Sequence, residues 1–402
     1  MISVEFTPNE TRQDAFLALK LVFQPWKWKK GKDITKLRQR LRKRFFSDKS
    51  DIYFFLTGRF ALYSFLKSLQ LKKGSEVLVQ AFTCEAVVLP ILALGLKPVY
   101  VDINTEDFSM NEEDLHLKYT PQAKVLILQH TFSITPIQRS KILSFARSKK
   151  LAILEDIAHG FDQVLFNKKT QPTTLLVSFG RSKSISGVFG GAIITKNRKV
   201  SDYLSKAEKN LQFPSNWFIV KMALYKALTV LIKATHDIYL GKLIHALVNY
   251  FHILTPEISK KEKKGTFDTM FAKAFPNISA LFILQQLNRF NDVQRKKSST
   301  CKYYQDKLRQ SKQYLNATLR YPYITSNRKI LLEKAKKKNF YLGSWYSQVV
   351  APNELDLDKV GYVLGSCPNA ENLVNQIVNL PTAITKKSAQ KMVKLIKAVD
   401  NL

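Results

Sequence analysis

Short apolar runs alternate with segments of helical periodicity over much of the first half of the chain. The runs SEVLVQAF, KPVYVDI, KVLILQH, LAILEDIA and TLLVSF are short and apolar, and they predict buried strands. The segments GRFALYSFLKSL, AVVLPILALG and SKILSFARSKK place their apolar residues at helical spacing. Such alternation is typical of βα units, so the pattern predicts an α/β fold with a mostly parallel sheet.

The pattern changes on both sides of this stretch and divides the chain into four parts. Residues 1–48 form a basic N-terminal arm, residues 49–199 the large α/β domain, and residues 200–265 a helical insertion. Residues 266–402 contribute a further helix of the large domain and a smaller α+β domain. Within this last part the sequence predicts long helices from about 280, a strand near 341–350 and a final helix at 385–400.

The N-terminal arm contains a basic amphipathic helix. Between Lys27 and Arg44 the chain has ten Lys and Arg and a single acid, Asp33. Within that stretch and just beyond it, the apolar residues of one face follow helical spacing: Ile34, Leu37, Leu41 and Phe45. Two interpretations are open: the apolar stripe docks on the body of the protein, or it contacts an anionic membrane surface.

The helical insertion is apolar nearly all round. In WFIVKMALYKALTVLIKATHDIYLGKLIHALVNYFHIL the polar stripe consists only of Lys226, Thr229, Lys233 and Asp237. Such a helix packs between other helices or lies on a membrane. The run KKEKKG at 260–265 that follows predicts an exposed loop.

The charge balance restricts the partners of the chain. With 402 residues, 64 Lys and Arg against 31 Asp and Glu give a net charge of +33, which favours anionic surroundings such as a membrane surface or phosphate-bearing ligands. A merely solvated basic surface is an equally good interpretation, and nucleic-acid binding is disfavoured because no recognised module is present. The cysteines, Cys84, Cys301 and Cys367, show no metal or disulfide spacing, which fits a reducing, cytoplasmic compartment. We also expect no signal peptide and no membrane span.

Polar residues follow the predicted strands at their carboxyl ends. They are Asp102, His130, the pair Glu155 and Asp156, and Ser178. Functional residues gather at this edge of a parallel sheet. A buried carboxylate such as Asp156 needs a cation, and Lys183 lies beyond the next strand. The phosphate-binding patterns GxGxxG and GxxxxGK[ST] are absent, which disfavours a dinucleotide-binding dehydrogenase and a P-loop NTPase.

Six segments in order resemble the DegT/DnrJ-type sugar aminotransferases that use pyridoxal 5'-phosphate (PLP). These segments are TGRFAL, GSEVLVQAFT, GLKPVYVDIN, ILEDIAHG, SFGRSK with GGAIIT, and CPNAENL with NLPT, from about residue 52 to the end. The resemblance implies the aspartate-aminotransferase fold (PLP fold type I). That fold has a three-layer large domain that binds PLP and a smaller α+β C-terminal domain.

The resemblance also implies the roles of residues around the PLP ring. Lys183 stands where the family carries the lysine that forms a Schiff base with PLP and moves the proton. Asp156 matches the acid that pairs with the pyridinium nitrogen, while Glu155 points to the opposite face of the strand. His159 stands near the position of the phenolic oxygen. His130 is either a second donor in the same layer or a structural histidine.

A second group of residues matches the family's phosphate-binding end. Thr57 and Gly58 precede a helix, Arg59 offers its backbone and its guanidinium, and Ser178 offers a hydroxyl. Gly190 and Gly191 let the chain pass closely before the next strand.

The chain departs from the family pattern at two places near the cofactor. Cys84 stands where the family often has an aromatic residue that stacks on the PLP ring, so either Phe82 substitutes from nearby or the stacking is weaker. The segment AKAF at 272–275 replaces the family's N-Y-R-M, so that only Lys273 provides a cation. The N-terminal arm and the 200–265 tract also extend beyond the family pattern.

The resemblance implies transfer of an amino group from Glu or Gln to a keto sugar, with a nucleotide-linked acceptor and a homodimer that shares its active sites. The presence of Lys183 favours plain transamination over hydroxyl elimination. The alternative is a non-catalytic or regulatory member of the fold at an anionic membrane surface.

Overall fold

The computed structural model describes residues 1–4, 6, 8–46, 49–160, 173–251, 253–308, 310 and 319–401. The strands are Ile2–Ser3 (β1), Asp51–Phe55 (β2), Glu76–Gln80 (β3), Thr83–Cys84 (β4), Lys97–Val101 (β5), Ala123–Gln129 (β6), Ala152–Asp156 (β7), Thr174–Ser178 (β8), Gly191–Thr195 (β9), Tyr321–Ile324 (β10), Phe340–Tyr341 (β11), Val350–Ala351 (β12) and Ile377–Leu380 (β13). The helices are Arg12–Val22 (α1), Asp33–Phe45 (α2), Gly58–Ser68 (α3), Glu85–Ala93 (α4), Glu112–Lys118 (α5), Arg139–Ser148 (α6), Arg198–Asn210 (α7), Asn216–Thr235 (α8), Leu240–Tyr250 (α9), Lys260–Lys263 (α10), Asn277–Asn288 (α11), Phe290–Leu308 (α12), Arg328–Lys337 (α13), Pro368–Leu373 (α14) and Lys386–Asp400 (α15).

A seven-stranded sheet forms the centre of the large domain, in the order β2-β9-β8-β7-β6-β3-β5. The strands β5, β3, β6, β7 and β8 are parallel, whereas β9 runs antiparallel to both of its neighbours. The mostly parallel sheet predicted from the alternating pattern is therefore confirmed. Its parallel strands bring their carboxyl ends to one edge, where the polar residues predicted from the sequence lie.

Side chains of the central strands pack on both faces of this sheet. Val77 and Val79 of β3 belong to one buried cluster, while Leu78 between them belongs to another. The same alternation holds along β6, where Ile127 and Leu128 face opposite sides. Helices cover both faces, so the large domain has the three layers expected of a buried parallel sheet.

The N-terminal arm is part of the core. Leu37, Leu41 and Phe45 of α2 are buried in a cluster with residues of α11 and of the central sheet. At its other end, β1 pairs with β11 of the small domain. Of the two interpretations of the basic amphipathic helix, docking of its apolar stripe on the body is the one that the structure shows.

The helical insertion packs on the arm through its polar stripe. The helix α8 lies against α1 and α9. Its Lys226 and Thr229 are fully buried, and Lys226 Nζ lies 2.6 Å from Glu10 Oε1. A buried lysine is stable only when paired, and Glu10 supplies the partner. Within the described ranges, no helix combines the length and the apolar character that crossing a bilayer requires.

Two expectations for the second half of the chain were wrong. The run at 260–265 is not simply an exposed loop, because it contains α10 and because Glu262 is fully buried. The strand expected near 341–350 is replaced by the two-residue strands β11 and β12, which flank a loop. The final helix is confirmed as α15, and β10 pairs with β13 in the small domain.

Replacing Leu41 by Ala tests whether the arm belongs to the core. Because Leu41 is 1% exposed, we expect Leu41→Ala to lower the free energy of unfolding by about 2–5 kcal/mol. Denaturant titration of the full chain measures this loss. The control is Gln39→Ala on the exposed side of the same helix, for which we expect a change within about 0.5 kcal/mol. Equal effects of the two variants would contradict a docked arm.

Candidate active site

A cavity of about 360 Å³ opens at the carboxyl edge of the sheet. Its lining combines the end of β7, the end of β8, the N-terminus of α3 and the loop 344–347 of the small domain. Lys183, Asp156, His159, Ser178 and Cys84 all line it. The structure therefore brings these five side chains together, although Cys84 and Lys183 lie 99 positions apart in the sequence.

Asp156 ends β7 and faces the cavity. The strand register places it beside Gln129 of β6, and its Oδ1 accepts a hydrogen bond from the Ala158 N–H at 2.9 Å. Burial raises the pKa of Asp156, while the positive charge of Lys183 opposes that rise. A buried carboxylate that lines the cavity suits a cationic partner there.

Lys183 lies in the loop between β8 and β9. The Asn9 side-chain amide donates hydrogen bonds to the carbonyl oxygens of Lys183 and Ser184, at 2.8 and 3.1 Å, so the N-terminal arm holds this loop in place. Burial lowers the pKa of Lys183, and the charge of Asp156 acts in the opposite direction. A lowered pKa makes more of the neutral, nucleophilic amine available near neutral pH.

His159 is a neutral residue with both ring nitrogens engaged. Burial lowers its pKa well below the ordinary value. Its Nδ1 accepts a hydrogen bond from the Phe132 N–H at 3.0 Å, which leaves the proton on Nε2. That Nε2 lies 3.0 Å from the Tyr346 hydroxyl and so donates to it. The Tyr346 hydroxyl proton is then available for an acceptor in the cavity.

Glu155 and His130 form a structural group on the other face of β7. Arg139 donates two hydrogen bonds to Glu155 at 2.6 and 2.8 Å, and His130 Nε2 lies 3.0 Å from the same carboxylate. Burial alone raises the pKa of Glu155, but the hydrogen bonds from His130 and Arg139 hold it below its ordinary value. Glu155 thus points to the opposite face as expected. Of the two interpretations of His130, the structure supports the structural histidine, because its ring binds Glu155.

The end of the cavity formed by the N-terminus of α3 and by Ser178 suits an anion. The Thr57 hydroxyl caps α3 by accepting a hydrogen bond from the Phe60 N–H at 3.3 Å. A Cβ added at Gly58 would lie 3.4 Å from Ser178 Cβ, so the helix N-terminus and the hydroxyl are neighbours. At Gly191 a Cβ would lie 2.4 Å from the Gly58 N, which explains why the chain needs glycine there. Backbone N–H groups at a helix N-terminus favour anions.

Arg59 differs from its expected role. Its guanidinium forms an ion pair with the buried Glu262 and a hydrogen bond to the Glu257 carbonyl oxygen, so it binds the helical insertion. The guanidinium carbon of Arg59 also lies 4.9 Å from the centre of the Phe271 ring. Nearby, burial raises the pKa of Glu85 to about 7. The side chain of Arg59 therefore pairs with an acidic side chain of the protein itself, that of Glu262.

The aromatic residues that line the cavity differ from Phe82, the one expected from the sequence. Phe82 is fully buried, packs edge-on against Tyr346 and is not among the residues that line the cavity, so the structure gives no support to its expected stacking role. Trp345 and Tyr346 line it instead. The Trp345 ring stacks on His159 at 5.1 Å, and Lys183 Nζ lies 4.7 Å from its centre. Cys84 does line the cavity, and burial raises the pKa of its thiol to about 12.

Sequence reasoning missed Trp345, Tyr346 and Glu257, which all lie in loops without periodicity. The nearest readable signal was the segment from Ser259 to Glu262, whose S-x-x-E spacing is that of a capping box. The structure contains this capping box at the start of α10. Among the described residues, no group of three metal-binding side chains is close enough to hold a metal ion.

The chain belongs to the DegT/DnrJ/EryC1/StrS aminotransferase family, which it matches over residues 10–210 and 253–397. The match begins well before residue 52, so most of the N-terminal arm is part of the family pattern and not an extension of it. The segment between the two matched ranges, 211–252, covers α8 and α9. The expectation that the insertion exceeds the family pattern is confirmed for this segment.

Curated relatives in the family act on sugars, by their names. The chain is 26% identical over 202 residues to GDP-perosamine synthase of Escherichia coli O157:H7, covering 49% of this chain and 54% of that protein. It is 31% identical over 168 residues to 3-oxo-glucose-6-phosphate:glutamate aminotransferase of Bacillus subtilis (strain 168), covering 41% of this chain and 36% of that protein. The matched part of the chain thus spans about half or less of these relatives.

A solved structure shares the whole fold. The sugar aminotransferase CalS13 from Micromonospora echinospora superposes with a TM-score of 0.72, at 16% identity, over 99% of this chain and 100% of that one. This similarity establishes the three-layer architecture with its smaller C-terminal domain. The residues around the cavity also fit PLP, because an amine, a buried carboxylate and an anion cradle line one space of sufficient size.

Replacing Asp156 by Asn tests the electrostatic coupling in the cavity. Since the negative charge of Asp156 favours the protonated amine, its removal lowers the pKa of Lys183 further. We expect the rate of reductive methylation of Lys183 to reach its midpoint at a lower pH in Asp156→Asn than in the wild type. Peptide mapping by mass spectrometry follows this one lysine across a pH series.

The control for this measurement is Asp202→Asn, an exposed acid on α7. We expect it to leave the Lys183 profile unchanged. A profile that does not move, or that moves to higher pH, in Asp156→Asn would show that the two groups are not coupled.

Proposed function

We propose that the protein is a PLP-dependent aminotransferase that moves an amino group from Glu or Gln to a keto sugar linked to a nucleotide. The observation that supports this most is the placement of Lys183, Asp156 and the α3 anion cradle in one cavity. Membership of the aminotransferase family supports the reaction class.

Each end of the cavity has a chemical task in this reaction. Bound PLP supplies an electron sink for the negative charge that develops on the substrate carbon. Asp156 would hold a proton on the pyridine nitrogen by its negative charge. Lys183 would bind the cofactor through its amine and would move a proton at the reacting carbon. Thr57, Gly58 and Ser178 bind the phosphate through the helix N-terminus and a hydroxyl.

The aromatic residues of the cavity, Trp345 and Tyr346, would orient the cofactor ring. The hydroxyl of Tyr346 is polarised by His159 and directs its proton toward the cavity. Trp345 gives an apolar surface beside Lys183 and excludes water from the amine. We assign these two residues the stacking and orienting task that Cys84 does not perform.

The acceptor is proposed to carry phosphate. A net charge of +33 favours an anionic substrate. The two curated relatives bear names that contain a nucleotide sugar and a sugar phosphate, and one of them names glutamate as the donor. We further propose a homodimer with shared active sites, working in the cytoplasm, with Lys273 as the cation that reaches the neighbouring subunit.

One surface favours a second candidate function, association with an anionic membrane. The helix α9 exposes Leu243, Leu247 and Tyr250 at helical spacing, and these side chains are 58%, 47% and 78% exposed. Lys242 flanks this face and packs on Tyr239. Apolar groups beside basic ones suit the surface of an anionic bilayer. Such contact is compatible with catalysis on a precursor of an envelope glycan, or with a non-catalytic role.

Replacing Lys183 by Arg tests the aminotransferase proposal. Arginine keeps the positive charge but cannot form the covalent link or move the proton. We expect amino transfer from glutamate to a panel of nucleotide-linked keto sugars to fall on the order of a thousandfold or more. Single-turnover mixing with PLP-loaded protein measures the rate of transfer. The control is Lys206→Arg, at an exposed position of α7. Retained transfer in Lys183→Arg would overturn the assignment.

Replacing Leu243 and Leu247 together by Ser tests the membrane surface. We expect the wild type to float with vesicles containing anionic phosphatidylglycerol and not with neutral phosphatidylcholine vesicles. The double variant loses most of this binding because the buried apolar area is removed. Leu117→Ser, a side chain 83% exposed on α5, serves as the control and binds as the wild type does. Absence of flotation, or equal flotation of all three proteins, would rule out this surface.

A further inference from the structure

A glutamate from the segment that follows α9 reaches the anion-binding end of the cavity. Glu257 Oε1 accepts a hydrogen bond from the Arg181 N–H at 2.8 Å. The same oxygen lies 3.2 Å from the position that a Cβ would take on Gly180, whose N–H donates to Ser178 Oγ at 3.3 Å. Glu257 lines the cavity together with Thr57 and Ser178. Its carboxylate is therefore a neighbour of the groups that suit a phosphate.

The backbone around Glu257 is anchored on both sides. Before it, the Arg181 guanidinium donates a hydrogen bond to the Thr255 carbonyl oxygen and lies 4.1 Å from the centre of the Tyr225 ring. At Glu257 itself, the Arg59 guanidinium donates to the carbonyl oxygen. These contacts fix the segment over the cavity, so Glu257 is not a freely moving surface side chain.

A second anchor lies just beyond Glu257. Glu262 is fully buried, pairs with Arg59 and closes the capping box with Ser259. The two arginines that flank the anion-binding end are thus both engaged by residues 255–262. Of the two acids in this segment, Glu257 is the one whose carboxylate accepts a hydrogen bond from a backbone N–H of the lysine loop, that of Arg181.

A carboxylate and a phosphate cannot share this end of the cavity. A phosphate monoester carries about −1.5 to −2 charges at neutral pH, and like charges at contact distance repel strongly where water is excluded. The N–H of Arg181 can serve one of the two anions at a time. Binding of a phosphate-bearing ligand therefore requires the Glu257 side chain to withdraw.

We propose that Glu257 is an internal anion that occupies the phosphate-binding end of the site and competes with the phosphate group of the incoming cofactor. The identity of that cofactor as PLP rests on the proposed function. The competition itself is between a carboxylate and a phosphate, whatever molecule carries the phosphate. The segment 255–262 thereby lowers affinity for the cofactor until the side chain is displaced.

Comparing PLP with pyridoxal tests this competition, because pyridoxal lacks the phosphate and has no need to displace Glu257. The variant Glu257→Gln keeps an oxygen that accepts from the Arg181 N–H but removes the charge. We expect it to bind PLP about tenfold more tightly than the wild type, which corresponds to about 1.4 kcal/mol. We expect pyridoxal affinity to change much less, since Glu257 acts on pyridoxal only through its charge near Lys183. Absorbance titration of the full chain measures both dissociation constants.

The matched control is Glu354→Gln, an exposed acid that pairs with Lys263 of α10 at 2.9 Å. It removes the same charge near the same segment, and we expect no change in the ratio of the two affinities. Glu257→Ala is a second variant with the same expected direction. An unchanged or weaker PLP affinity in both Glu257 variants, or an equal gain for pyridoxal, would overturn the proposal.

Titration with inorganic phosphate distinguishes a failure of the Glu257 proposal from a failure of the aminotransferase proposal. If the wild type binds neither PLP nor pyridoxal, the aminotransferase proposal fails. Calorimetric titration with inorganic phosphate then still reports on Glu257, since we expect tighter phosphate binding by Glu257→Gln than by the wild type. Equal phosphate affinities, or no phosphate binding by either protein, would refute the role of Glu257.

Discussion

The candidate site depends on one constraint, the burial of an amine and a carboxylate in the same cavity. Burial disfavours the charge on each group, and the attraction between Lys183 and Asp156 offsets part of this cost. The strand β7 fixes Asp156 through its register with β6. The loop that carries Lys183 has no such register, and Asn9 of the arm holds its carbonyl oxygens instead. The N-terminal arm thus contributes to the site as well as to the core.

Much of the fold and the centre of the site could be predicted because their signals are local. Apolar runs identified the strands of the sheet, and the residues that follow those runs include Asp156 and Ser178, which do line the cavity. The period of two along a strand correctly separated Glu155 from Asp156. The spacing of Leu37, Leu41 and Phe45 likewise identified the docked face of α2.

What could not be predicted are contacts between segments far apart in the chain. Trp345 and Glu257 lie in loops, where no periodicity indicates which way a side chain points. The guanidinium of Arg59 was expected at an anion and instead meets Glu262, 203 positions later in the chain. The capping box of α10 is readable from the sequence, but its place beside α3 follows only from tertiary packing. Phe82 is the converse case, since its proximity to Cys84 in sequence does not place it among the residues that line the cavity.

The most direct test of the account is to locate the covalent attachment of PLP. The full chain is incubated with PLP, reduced with borohydride and digested, and the modified peptides are mapped by mass spectrometry. The account predicts stoichiometric modification of Lys183, reached at PLP concentrations too low to label exposed lysines. Modification spread over surface lysines, with Lys183 unmodified, would contradict it.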